Sequence, residues 1–164
     1  MHQFRFQSNN VVLLLLALAA LAACSPSRQL IGGNEIVATH RDAQAWDDFM
    51  PGSAPKCHAF MAVTLRNTTE EDIVLLSAEG TLLDARSDTP LRRFAASIVY
   101  NDIETPEVRL APGSGVDLTF RTPMGVPPLD RRKYAHVRIR IRAHTSLGLP
   151  LILQSRPVEL LVTQ

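Results

Sequence analysis

The stretch Tyr134–His144 constrains the fold more than any other part of the chain. Val137, Ile139, Ile141 and Ala143 occupy every second position, and His136, Arg138, Arg140, Arg142 and His144 occupy the positions between them. A period of two is the repeat of a β-strand, whose successive side chains point to opposite faces; a helix would scatter the arginines around its axis. The stretch therefore predicts a sheet with one buried and one wet face. Ala59, Met61, Val63 and Leu65 alternate in the same way, as do Val116, Leu118 and Phe120 with Asp117, Thr119 and Arg121. Further strands are expected at Ile73–Leu76 and Gly80–Asp84, bent near Gly80, and at Phe94–Tyr100 and Leu149–Val162, the last interrupted at Pro157. Turn-forming clusters separate them at 67–72, 86–90, 112–115, 123–130 and 146–148. Trp46–Met50 before Pro51-Gly52-Ser53 reads as a short helical turn or loop. About seven short strands with no sustained helical period predict an all-β chain, an antiparallel β-sandwich.

The N-terminus has a different character. Val11–Ala23 is an unbroken apolar run behind a polar segment whose only charge is Arg5. It is shorter than the roughly 20 residues needed to cross the hydrocarbon core, and it has the length of a signal-peptide apolar region. Leu21-Ala22-Ala23-Cys24 closes it and resembles the lipobox of bacterial lipoprotein precursors. That resemblance implies cleavage before Cys24, diacylglycerol on its sulfur and an acyl chain on the new amino terminus. Several chains anchor stably where one would not. Ser25 after the cysteine implies the outer membrane, facing the periplasm. Residues 1–23 are then a removed signal peptide, 24–34 a flexible tether and 35–164 a single β-sandwich domain.

Removing the leader leaves 16 Lys+Arg against 16 Asp+Glu, because Arg5 is lost. A neutral total excludes a generally basic nucleic-acid binder. The distribution is uneven: residues 24–130 carry 9 basic and 15 acidic side chains, residues 131–164 carry 7 and 1. Val63–Thr68, Ile73–Leu76 and Leu110-Ala111-Pro112-Gly113 leading into Leu118-Thr119-Phe120 are similar in layout to immunoglobulin-like sandwiches of the late-embryogenesis-abundant (water-stress) type. The resemblance covers roughly residues 59–162 and implies an immunoglobulin-like sandwich.

Three groups of residues could carry chemistry. Cys57, His58 and Met61, with Met50 and His40 nearby, offer the thiolate, imidazole and thioether ligands that copper favours. On a strand, however, the adjacent Cys57 and His58 point to opposite faces. Lys56 and His58 flank Cys57, and positive charge lowers a thiol pKa, but no resolving cysteine accompanies it. Ser53-Ala54-Pro55-Lys56 matches Ser-x-x-Lys formally, yet its prolines oppose the helix which that motif needs. No hydrolase or phosphate-loop motif is present. The chain reads as a non-enzyme without a cofactor.

The third group is cationic. Arg131, Arg132 and Lys133 lead into the strip Arg138, Arg140 and Arg142. Like charges in one row need an offset. Either cross-strand acids such as Asp117, Glu107 or Glu159 supply it, or an anionic partner does. The expected function is a membrane-anchored interaction or assembly module docking on another envelope protein or an anionic envelope component. The alternative is a periplasmic ligand-binding protein for copper or such an anion.

Overall fold

The computed structural model describes residues 27–31 and 34–163, with side chains from residue 36 onward. The leader and Cys24 lie outside the described residues. All regular structure among those residues is β. The strands are β1 (Ser27–Ile31), β2 (Asn34–Asp48), β3 (Lys56–Asn67), β4 (Ile73–Asp84), β5 (Pro90–Tyr100), β6 (Ile103–Thr105), β7 (Val108–Leu110), β8 (Gly115–Arg121), β9 (His136–Thr145), β10 (Leu151–Gln154) and β11 (Val158–Thr163).

Hydrogen bonding runs around a ring. β9 pairs with β11, β11 with β2, then β3, β8, β5 and β4 follow, and β4 returns to β9. The result is a closed seven-stranded barrel, which corrects the expected immunoglobulin-like sandwich. Alternation demands one buried face per strand, and a sheet closed on itself meets that demand as well as two stacked sheets do. The deciding contacts are remote in sequence: β4 against β9 from Leu75↔Thr145 to Asp84↔Val137, and the parallel pairing of β11 with β2 from Leu160↔Ala45 to Thr163↔Asp48. Bulges between His40 and Asp42, Leu75 and Ser77, and Leu82 and Leu83 help the strands curve.

The interior is packed rather than hollow. Met61, Leu65, Leu82, Phe120, Ile139 and Ile141 are fully buried in one cluster that Ile36, Leu153 and Leu160 join. Phe94 lies over Gly80, where a Cβ would come within 2.0 Å of its ring. A large side chain on β5 thus fills the space that glycine leaves on β4. Asn67 ties down one end of the barrel: its amide donates to the carbonyls of Glu71 (2.7 Å) and Leu110 (2.9 Å), and its oxygen accepts from the Thr69 backbone (2.9 Å).

Several local expectations change. Trp46, Asp47 and Asp48 are strand, not a helical turn, because β2 continues to Asp48 opposite Lys56. β4 runs unbroken through Gly80 and is irregular near Leu75 instead. β1, inside the stretch read as a tether, pairs antiparallel with β2. The last apolar stretch does divide before Pro157: β10 flanks one half of β9 and β11 the other. Among the described residues no helix is long and apolar enough to cross a membrane.

Candidate functional site

β9 buries Val137, Ile139, Ile141 and Ala143 in the barrel and turns His136, Arg138, Arg140, Arg142 and His144 outward. Register then sets the neighbours of each arginine. Arg140 stands between Thr81 of β4 and Gln154 of β10, and Thr81 stands next to Arg93 of β5. Arg142 stands between Glu79 and Ile152, and Glu79 stands next to Ala95. Two rows on the outer wall therefore hold Arg93 and Arg140 in one and Arg142 in the other. They line an open groove of ≈ 870 Å³ to which Ile152 adds apolar surface.

The arginines differ in how their charge is met. Arg138 donates to Asp88 at 2.6 Å and its side chain is about three-quarters covered. Arg140 donates to the neutral amide oxygen of Gln154 at 2.9 Å. Arg142 and Arg93 form no ion pair among the described residues, although Glu79 is the cross-strand neighbour of Arg142. The acids expected to neutralise the strip are engaged elsewhere or stand apart. Asp117 accepts from Thr64 (2.6 Å) and pairs with Arg41, and these two contacts hold its carboxyl below the usual range. Glu159 pairs with Arg131 at 3.5 Å, and Glu107 makes no ion pair among the described residues. Of the basic lead-in, Arg132 makes no ion pair among the described residues, and the Lys133 ammonium sits 5.2 Å from the Tyr134 ring centre. The groove thus brings together Arg140 and Arg142 and leaves Arg138 and residues 131–133 outside its lining. Arg93 joins it unforeseen. Nothing local marks that residue: only the β4–β5 register, set by the turn at 85–89, places it beside Thr81.

The candidate metal residues are not brought together. Cys57 and Met61 face the barrel interior and are wholly buried, whereas His58 lies on the outer wall, stacked on Trp46 with ring centres 5.5 Å apart. Cys57 and Met61 are four residues, about 13 Å, apart along β3. No single ion can reach all three. Among the described residues no group of three or more His, Cys, Asp or Glu is placed to hold a metal. Burial, reinforced by the adjacent Asp47 carboxylate, pushes the Cys57 thiol up to about 12. Lys56 does not activate it, because its side chain is on the opposite face. The backbone of Cys57 exchanges two hydrogen bonds with Val126 (2.7 and 2.8 Å), and Asp47 accepts weakly from the Leu129 amide (3.5 Å). These contacts hold the 122–130 loop across the end of the barrel.

No protein-family model matches the sequence, and no curated protein does. Some solved structures are loosely similar. One is a copper-bound PCuAC domain from PmoF2, at 10% identity and a TM-score of 0.46, with 82% of this chain and 98% of that one covered. A second is a protein described as ApaA from Bordetella pertussis, at 13% identity and 0.41, with 80% and 96% covered. A third is a protein from Archaeoglobus fulgidus, at 13% identity and 0.43, with 77% and 99% covered.

Proposed function

We propose that this is a lipid-anchored, non-catalytic binding protein of the bacterial envelope that holds an anionic group in the outer groove of its barrel. The observation that carries the reading is the charge state of the groove: Arg93, Arg140 and Arg142 face Glu79 alone, and neither Arg93 nor Arg142 has an ion pair among the described residues. Guanidinium forks suit carboxylate and phosphate oxygens. The lipobox at Leu21–Cys24 supports attachment to the outer membrane on its periplasmic side, where phospholipid head groups and acidic envelope proteins are at hand. Changing Arg93, Arg140 and Arg142 together to Gln is expected to leave the fold intact, since exposed ion pairs contribute about 0–1 kcal/mol each. Association with inorganic phosphate or purified lipopolysaccharide should drop at least tenfold. In the unmutated protein it should weaken with salt, because exposed charges are screened within about 10 Å at 0.1 M. Binding that survives both the triple change and salt sinks the reading.

Copper is a second reading, and one feature of the outer wall favours it: an imidazole packed against the residue that follows an exposed methionine in the chain. Of the expected trio only His58 could take part. Gly125 packs against its ring, where a Cβ would come within 2.9 Å of Cε1, and the neighbouring Met124 is 75% exposed. Met50 is exposed in the hairpin that leads into Lys56. Copper(I) suits such thioether and imidazole ligands. Competition for copper(I) with a chromogenic chelator should then give one site per chain that His58→Ala abolishes. Retention of copper by His58→Ala would end this reading.

A further inference from the structure

The cationic groove does not end at its arginines. β4 and β5 are paired from Leu83↔Pro90 to Ala78↔Ala96 and then part, as β5 turns to β6 and β8 while Ile73–Leu75 of β4 take β7. The parting opens a second groove of ≈ 630 Å³ whose outer walls include Leu76, Pro106 and Pro123, with the core-facing Ala96 and Ile98 beneath them. Ala95 lines both grooves, so they meet end to end on the outer wall. One half is rich in guanidinium and the other is mostly apolar. Glu104 lies in the apolar half, where it accepts from Ser97 (2.7 Å) and pairs with Arg121 (3.5 Å), so its charge is met from within.

We propose that the two halves form one site for a single-chain anionic amphiphile. Its acidic head would lie on Arg93, Arg140 and Arg142, and its alkyl chain would run past Ala95 along Leu76 toward Pro106 and Pro123. The inference rests on the anion-binding reading above and adds the apolar tail. The small side chain of Ala95 leaves the floor low where the head meets the chain. From Ala95 to Ile98 the strand is about 10 Å long, enough to cover a medium-length alkyl chain. Each methylene that leaves water strengthens binding about fourfold, so even partial coverage is measurable.

The test uses the whole mature chain in neutral-lipid nanodiscs, with empty nanodiscs as blank, titrated with octyl phosphate, inorganic phosphate and octanol. Octyl phosphate should bind at least tenfold more tightly than inorganic phosphate and far more tightly than octanol. Arg142→Gln should weaken both phosphates. Ala95→Trp, which fills the junction, should remove the advantage of octyl phosphate. Leu76→Asp, on the wall of the apolar half alone, should do the same while leaving inorganic phosphate binding unchanged, and it stands in should the Trp variant not fold. Equal affinities for the two phosphates, with the Arg142 effect retained, would overturn the amphiphile and leave the anion site. An octyl advantage untouched by both Ala95→Trp and Leu76→Asp would also overturn it. Loss of all phosphate binding in the unmutated chain would overturn both readings.

Discussion

Cys57 should make the barrel sensitive to alkali over a defined window. Its thiol is fully buried, and burial together with Asp47 raises its pKa from 9.0 to about 12. Between those values the unfolded chain releases the thiol proton and the native barrel retains it. The unfolded state then binds fewer protons, so stability falls as pH rises. The contribution is intact below pH 9 and is lost progressively up to the native value near 12. At about 1.4 kcal/mol per pH unit, roughly 2 kcal/mol should be gone by about pH 10.5. Other groups titrate in this range, so the measurement is a difference. Urea unfolding of the unmutated protein and of Cys57→Ala is compared at pH 8 and pH 10.5. The alanine variant should be less stable at pH 8, where it loses packing, and the gap should shrink by roughly 2 kcal/mol at the higher pH. A gap that stays constant would show that the thiol titrates as it does in water, and the buried Cys57–Asp47 arrangement would be refuted.

Asn67→Ala removes a buried amide that serves four backbone and side-chain partners, so it should cost about 2–4 kcal/mol in urea unfolding, counting the carbonyls left unpaired. Gly80→Ala drives a methyl into the Phe94 ring and should cost about 1–3 kcal/mol; Phe94→Leu in the same chain should recover part of it. Cys24→Ala should abolish fatty-acid labelling and leave an uncleaved precursor. Palmitate incorporation into that variant would remove the lipid anchor from the proposed function.

Strand identity was legible wherever one face is buried and the other wet. β9 and β3 follow the alternation read from Val137–Ala143 and Ala59–Leu65. Which strands touch was not legible, because a period of two states only that a strand has a buried face. Barrel closure depends on β9 reaching β4 and β11 reaching β2, as in Ala143↔Ala78 and the still more distant Leu160↔Ala45. The same limit applies to the site. Arg140 and Arg142 stood out because they share a strand face, whereas Arg93 lies two strands away and gains its meaning only from register. Cys57, His58 and Met61 show the opposite case. They are close in sequence, yet the alternation that already set Cys57 and His58 on opposite faces sends His58 outward and the other two inward. Trp46–Asp48 looked irregular because Pro51 and Gly52 follow directly, yet pairing with Lys56–His58 holds them extended.

The ring is joined at its seam by β11, which reaches β9 only through Val158↔Val137 and Glu159↔His136 and reaches β2 over four consecutive residues. β11 also follows every other strand of the ring in the chain, so it leaves the ribosome after them. A chain made amino end first cannot complete this cylinder before that last strand of the ring is available. Without Leu160 in place beside Ala45, the Ala45–Asp48 end of β2 has no strand on that edge, and pairings between distant segments form slowly in any case. The topology therefore makes the docking of one short strand the event that closes the cylinder.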